Sequence, residues 1–205
     1  MNKSTKVSKN SGAQFDADYY ARYYEDERTR VASSTDIARL GRFVSGYADY
    51  LGIKVKRVLD AGCGIGLWRG VIAEHYPSAR YIGIELSEHL CKTRGFTQAS
   101  VVDYQDRGRF DLVICQGVLQ YLTDAEAKRA IANLGKLCRG LLYLEVLTAE
   151  DWASACDRRF SDGAVHRRSA AWYRKQLARD FQALGGGVFA HRDANLVLYA
   201  LEALG

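Results

Sequence analysis

Hydrophobic and polar positions follow a helical rhythm up to about residue 52 and a mixed one after it. In Phe15-Asp16-Ala17-Asp18-Tyr19-Tyr20-Ala21-Arg22-Tyr23-Tyr24 the tyrosines at 19 and 23, and at 20 and 24, fall one helical turn apart and form an aromatic strip. Such rings either anchor an N-terminal helix to the domain or close over a ligand as a lid. A second helix is predicted from Thr35 to about Leu51, capped by Ser34 or Thr35 and packed directly on a sheet. From Val55 onward, short β-branched runs alternate with helical stretches. Strands are expected over 56–61, 80–85, 98–103, 111–116 and 141–147, and helices over 67–75, 88–94 and 124–138. That alternation predicts a parallel sheet with helices on both faces, because parallel strands need right-handed crossovers. The link over 104–110 is too short for a crossover helix, so the strands it joins must stand apart in the sheet, with the link passing across the ligand edge. At the end of the chain Gly185-Gly186-Gly187 leads into a strand over 188–192. A turn at Asp193-Ala194 then joins it to a strand over 195–202, and two strands so close must pair antiparallel.

Length and composition bound the picture. A chain of 205 residues, 48% hydrophobic and with one proline, forms one domain from about residue 14 to 205, its N-terminal helices over 15–52 covering the site, after a polar, disordered tail over 1–13. It can bury roughly 70% of its extended surface. No apolar run is long enough to span a bilayer, and the polar start carries no signal segment, so the protein is expected to be soluble and cytoplasmic. Five scattered cysteines lack metal-ligand spacing and read as reduced and mostly buried, and no metal is expected. The formal net charge of +5 hints at anionic partners without identifying one.

An open α/β sheet takes its ligand beyond the carboxyl ends of its strands. Those ends carry Asp60 with Gly62, Gly64 and Gly66, then Glu85, Asp103, Gln116 and Glu145. Val58-Leu59-Asp60-Ala61-Gly62-Cys63-Gly64-Ile65-Gly66 reads as a cofactor loop, in which glycines let the backbone turn sharply and approach a ligand. Leu67 stands where a dinucleotide fingerprint needs its third glycine, and no Gly-Lys-Ser/Thr follows, so neither NAD nor a P-loop phosphate fits. An adenosine bearing an amino-acid end does fit. Its ammonium suits Asp60, its carboxylate the N–H groups where the Leu67 helix begins, its ribose diol Glu85, and its adenine amino group Asp103.

These residues resemble the class I S-adenosylmethionine-dependent methyltransferases of small-molecule type, and the resemblance covers nearly the whole chain. The stretch from Val58 to Gly66 looks like their first motif, Glu85 like their ribose acid, and Val101-Val102-Asp103-Tyr104 like their adenine segment, with the Tyr104 N–H facing the ring. Residues 110–122 and 141–147 are similar to their fourth and fifth strands. The resemblance implies a three-layer Rossmann-like fold, α/β, with a seven-stranded sheet in the order 3-2-1-4-5-7-6 and strand seven antiparallel. It also implies S-adenosyl-L-methionine as methyl donor and S-adenosyl-L-homocysteine as product. The cofactor-binding set it suggests is Tyr19, Asp60, Gly62, Cys63, Gly64, Gly66, Glu85, Leu86, Asp103, Tyr104 and Gln116.

The acceptor is less legible. Many small-molecule members carry a histidine where this chain has Tyr121. Cys115-Gln116-Gly117-Val118 replaces the Asn/Asp-Pro-Pro-Tyr/Phe turn of the nucleobase enzymes, so nucleic acid is not expected. Base candidates are Glu145, His166 and Tyr121, against the plainer roles of holding a backbone N–H, standing solvated in a loop, and walling the pocket. The basic stretch from Arg158 to Lys175, with Ser169 capping its helix, is either a solvated face or a source of one arginine that grips an anionic group on the acceptor. Methyl transfer to an oxygen or nitrogen of a small metabolite is the favoured function. A cofactor-binding pseudoenzyme or sensor, and a tRNA or protein methyltransferase, are the alternatives.

Overall fold

The computed structural model describes residues 33–157 and 163–202. The tail over 1–13, the tyrosine strip with Tyr19, and Arg158 and Arg159 lie outside the described residues.

Helix α1 (Ser34–Tyr50) starts one residue earlier than expected. Ser33 is its cap, accepting from the Asp36 N–H while the Asp36 carboxylate accepts from the Ser33 N–H. Ile37, Gly41, Val44, Ser45 and Ala48 form its buried stripe. A Cβ on Gly41 would overlap Val71, so that glycine is what lets α1 lie on α2 (Leu67–His75). Strands β1 (Arg57–Ala61), β2 (Arg80–Glu85), β3 (Thr97–Gln98), β4 (Phe110–Gln116), β5 (Cys138–Glu145), β6 (Phe181–Gly185) and β7 (Val188–His191) form one sheet, ordered β3-β2-β1-β4-β5-β7-β6. The first five run parallel, and β7 is antiparallel to both β5 and β6. On one face α1 and α2 cover Val58, Leu112, Ile114 and Leu141. On the other, α4 (Asp124–Leu137) and α6 (Ala170–Leu177) cover Leu59, Val113 and Leu142. Ser169 caps α6 as expected, and α3 (Glu88–Arg94) and α5 (Ala149–Ser154) complete the helices of the described residues.

Four expectations need correction. The third strand stops at Gln98 rather than Asp103, because the Ser100 hydroxyl accepts from the Val102 N–H and the Ser100 carbonyl from Asp103 and Tyr104. This local turn competes with the ladder for the same backbone groups. The following link leaves the ligand edge and crosses one face of the sheet. Asn133 of α4 holds it by Val101 and Tyr104 carbonyls, and Asp106 meets Arg57 at 2.6 Å at the opposite edge. The fifth strand begins at Cys138, not Leu141, and ends at Glu145; bare Gly140 lies against the Asp111 carbonyl, where a Cβ would not fit. The terminal hairpin pairs β6 with β7 around Gly186 and Gly187, at φ +57° and +78°. Consecutive positive φ values suit a two-residue hairpin turn, so the glycines are the turn rather than a lead-in. Residues 195–202 form no strand; Leu196 and Leu198 pack on the α1 side, and Tyr50 donates its hydroxyl to Glu202.

Candidate active site

Strand β1 delivers Asp60 to the carboxyl edge of the sheet, and the next residues turn back through Gly62, Gly64 and Gly66, all at positive φ. A Cβ on Gly62 would overlap Val118 beyond β4, and one on Gly66 would strike the Phe96 ring. Two of these glycines are therefore required by packing as well as by any ligand. The loop is held by the Ile84 carbonyl, which accepts from Gly62 at 2.9 Å and Cys63 at 3.0 Å.

Glu85 lies deeper than a strand-end acid outside the core. It is 6% exposed and accepts from three backbone N–H groups, Gly64 at 3.0 Å, Leu86 at 2.7 Å and Ser87 at 3.0 Å. One carboxylate thus ties the β1–α2 loop to the β2–α3 loop. Asp60 is 2% exposed and accepts from the Tyr81 hydroxyl at 2.6 Å. Burial pushes the Asp60 carboxyl up to about 7, with the Tyr81 hydrogen bond pulling down and the Glu85 charge pushing further up. No lysine, arginine or histidine among the described residues is paired with it.

A cavity of about 290 Å³ opens here, lined by the loop from Gly62 to Ile65, by Leu67 and Trp68 of α2, by Asp36, Ile37 and Leu40 of α1, and by Asp60, Gln116, Gly117 and Glu145. The first turn of α2 has no side-chain cap and begins on this loop. Across the cavity runs a polar chain. Trp68 Nε1 donates to Gln116 Oε1 at 2.8 Å, Gln116 Nε2 to Glu145 Oε2 at 3.0 Å, and the Tyr143 hydroxyl to the same oxygen at 3.0 Å. The Trp68 donor fixes which way the Gln116 amide points, since an indole N–H can only donate. Trp68, Tyr143 and Tyr81 were missed from sequence. Tyr143 was within reach, because it stands two residues before Glu145 and so shares its face of the strand.

The structure gathers some sequence candidates and separates others. Asp60, Gly62, Cys63, Gly64, Gln116 and Glu145 line the cavity. Gly66, Glu85 and Leu86 support its rim from the loops described above. Asp103 is exposed in the Ser100 turn, and the Tyr104 N–H already donates to Ser100 O at 2.9 Å. Of the base candidates, only Glu145 lines the cavity. Tyr121 sits half-buried in a single 3-10 turn, Leu119–Tyr121. His166 is exposed, its backbone N–H donating to Gln120 O at 2.8 Å.

Of the basic stretch, Arg167 and Arg168 do not line the cavity. Arg168 is 6% exposed, with Nε on Asp124 at 2.7 Å, Nη1 on Leu119 O and the Tyr173 hydroxyl at 3.0 Å each, and Nη2 on Leu122 O. Its fork pins the β4–α4 turn to α6. Arg167 lies over the Trp152 ring at 4.2 Å. No described residue lining the cavity is basic.

Residues 23–196 match a family described as methyltransferase domain. The chain belongs to that family. It is a class I S-adenosylmethionine-dependent methyltransferase by family, and its sheet order is the one the resemblance implied. Among curated relatives it is 32% identical over 109 residues to the ubiquinone biosynthesis O-methyltransferase of Coxiella burnetii, covering 46% of this chain and 45% of that one. It is also 35% identical over 128 residues to an uncharacterized protein of Synechococcus sp., covering 53% and 30%. The chain spans less than half the length of the curated relatives it matches. Among solved structures it shares its fold with CalS10 from Micromonospora echinaspora, an amino pentose methyltransferase with S-adenosylmethionine bound, at TM-score 0.63, 18% identity and coverage of 82% and 96%. Magnesium protoporphyrin IX methyltransferase from Synechocystis PCC 6803 superposes at TM-score 0.61, 18% identity and coverage of 90% and 94%.

Proposed function

We propose that this domain binds S-adenosyl-L-methionine at the Gly62–Gly66 loop and directs its methyl group to an oxygen or nitrogen of a small metabolite in the adjoining cavity, leaving S-adenosyl-L-homocysteine. The observation that carries this reading is Asp60. A carboxylate buried to 2% exposure, facing a cavity and lacking a described cation, suits an incoming ammonium. The uncapped first turn of α2 suits the carboxylate of the same ligand. Glu85 is the residue for the ribose hydroxyls, its Gly64 hydrogen bond being the one nearest the loop, and Asp103 the one for the adenine amino group.

S-adenosyl-L-methionine, when bound, would supply its sulfonium methyl to an acceptor lone pair, the carbon–sulfur bond electrons passing to sulfur. Orientation of that approach by the cavity walls is worth on the order of 7–11 kcal/mol. Gln116 and Tyr143 hold Glu145 by one oxygen, so its other oxygen is available to take the acceptor proton or to fix the acceptor by a hydrogen bond. The family match over 23–196 supports one domain across 14–205. No helix among the described residues is long and apolar enough to cross a membrane, and five free thiols support a reducing compartment, the cytoplasm.

The test is a thermal shift followed by a labelled-methyl screen of metabolite extracts. S-adenosyl-L-homocysteine at 100 times its Kd should stabilise by about 2.7 kcal/mol, roughly 5–11 °C for a chain of this size, and NAD should not. No shift with the former would overturn the reading. Once an acceptor is in hand, Glu145→Gln should lower kcat and leave the affinity for S-adenosyl-L-homocysteine within about twofold, the difference between acceptor and cofactor roles.

A further inference from the structure

We propose that Tyr81, which lies outside the cavity lining, is a positioning residue for cofactor capture: its hydroxyl anchors the buried Asp60 carboxylate and aims it at the site assigned to the ammonium of the methyl donor. This rests on the assignment of Asp60 to that ammonium and adds the residue that makes the assignment workable.

Val58 faces Tyr81 and Asp60 faces Gly83 across the parallel β1–β2 pair, so all four side-chain positions share one face. Gly83 has no side chain to interpose between Tyr81 and Asp60, and a Cβ there would come within 2.9 Å of both Cys63 Sγ and Phe96 Cδ1. The Tyr81 phenol therefore runs along the strand over the bare glycine and meets Asp60 Oδ2 at 2.6 Å. Arg69 of α2 lies over the Tyr81 ring at 5.7 Å and over Phe96 at 4.5 Å, bracing the ring from the far side.

Apart from that hydroxyl and the more distant Arg69 cation, the described groups around Asp60 disfavour its charge. Glu85 at the end of β2 repels it, Cys63 on the loop and Cys115 on β4 are thiols that burial and neighbouring acids keep protonated, and Asp36 of α1 faces the same cavity. A short hydrogen bond to the ionised form is the arrangement that lowers a carboxyl against burial. The Tyr81 hydroxyl is itself pushed upward, by burial first and by Asp60 next, so it stays a donor. One Asp60 oxygen is engaged by Tyr81 and the other is left for the ligand.

Binding of S-adenosyl-L-homocysteine to the full chain, measured by calorimetry between pH 5.5 and 7.5, tests this. The ligand's free amino-acid ammonium is less acidic than a peptide α-amino group and stays protonated over that range. Wild-type affinity should fall about tenfold per pH unit once below Asp60's midpoint near 7. Tyr81→Phe should move that acid limb upward, so that its deficit against wild type widens as the pH falls; a move of one pH unit would read as about threefold at pH 7.5 and about tenfold at pH 5.5. Asp60→Asn, which keeps an acceptor for Tyr81, should bind weakly with no acid limb, and this variant carries the test if Tyr81→Phe fails to fold. Methylthioadenosine, which lacks the amino-acid end, should bind wild type and Tyr81→Phe alike at every pH. A Tyr81→Phe profile with the wild-type midpoint, an acid limb that persists in Asp60→Asn, or an equal loss for methylthioadenosine would each overturn the proposal. Failure of the wild type to bind S-adenosyl-L-homocysteine at any pH would instead overturn the cofactor reading beneath it.

Discussion

Replacing Arg168 by alanine should damage the fold rather than acceptor recognition. The guanidinium is buried, and its partners are two main-chain carbonyls at Leu119 and Leu122, the Tyr173 hydroxyl and the Asp124 carboxylate. Asp124 is largely exposed and regains water when the arginine leaves, so it contributes little to the loss. The Leu122 carbonyl does not, and a buried acceptor left without a donor costs about 1–3 kcal/mol, whereas Leu119 O keeps the Leu122 N–H and the lost contact to the Tyr173 hydroxyl adds about 1 kcal/mol. Together with lost packing against Trp172, whose ring lies 5.1 Å from the guanidinium, the sum is about 4 kcal/mol. For a domain of this length that is a fall in Tm of roughly 8–16 °C. Arg167→Ala is the matched control, because it removes only an exposed cation over Trp152, worth about 0.5–1 kcal/mol. Urea unfolding followed by circular dichroism gives both numbers. An Arg168→Ala protein within about 1 kcal/mol of wild type would refute the argument, and a raised acceptor KM at full stability would return the guanidinium to the substrate.

Three further outcomes follow from the same geometry. Gly62→Ala should destabilise by about 2 kcal/mol in urea unfolding, since a positive φ of 77° and the overlap with Val118 both oppose a side chain; a neutral effect would mean the loop relaxes freely. Glu85→Ala should lower stability by about 3 kcal/mol and weaken S-adenosyl-L-homocysteine binding together, because two buried N–H groups and a part-buried one lose their acceptor, whereas loss of affinity alone would make the carboxylate a ligand group only. His191 is buried beside Arg109, and burial and then that cation hold its pKa below the ordinary 6.5. The unfolded chain therefore binds more protons below pH 6.5, and this group removes stability as the pH falls through that value. Asp60, raised to about 7, acts in the opposite sense, gaining stability as the pH falls from 7 toward its unfolded value. The two are separated by comparing wild type with His191→Gln between pH 5 and 7; parallel stability curves would show that His191 carries no such charge effect.

The parts of the fold that could be read from sequence are those where local pattern and tertiary need agree. Residues 67–75, 80–85 and 88–94 fell where expected because each apolar run there is bounded by its own cap, turn or glycine. The third strand failed at Ser100, whose hydroxyl and carbonyl capture backbone donors a strand would have offered a neighbour. The hairpin was displaced because a triple glycine can be a lead-in or the turn itself, and only the pairing of Phe181 with His191 decides which. In the site, the loop and its acids carry their chemistry in their spacing. Tyr81 and Trp68 do not, because their roles come from neighbours brought close by parallel pairing and by the α2 docking angle, and neither is written in the local run. Arg168 looked like a surface cation for the converse reason, since its burial is made by turns 44–49 residues away in sequence.

The turn at Ser100 also bears on how copies of this chain meet. A sheet edge is a row of unpaired donors and acceptors on which another strand can grow. Here the outermost strand on one side is two residues long, paired only through Ile84 and Glu85, and on the other side β6 loses its register between Ala183 and Gly185. Neither offers a long, straight template for strand addition. Changes at Ser100 that let β3 run on toward Asp103 would lengthen the edge and with it the template for self-association.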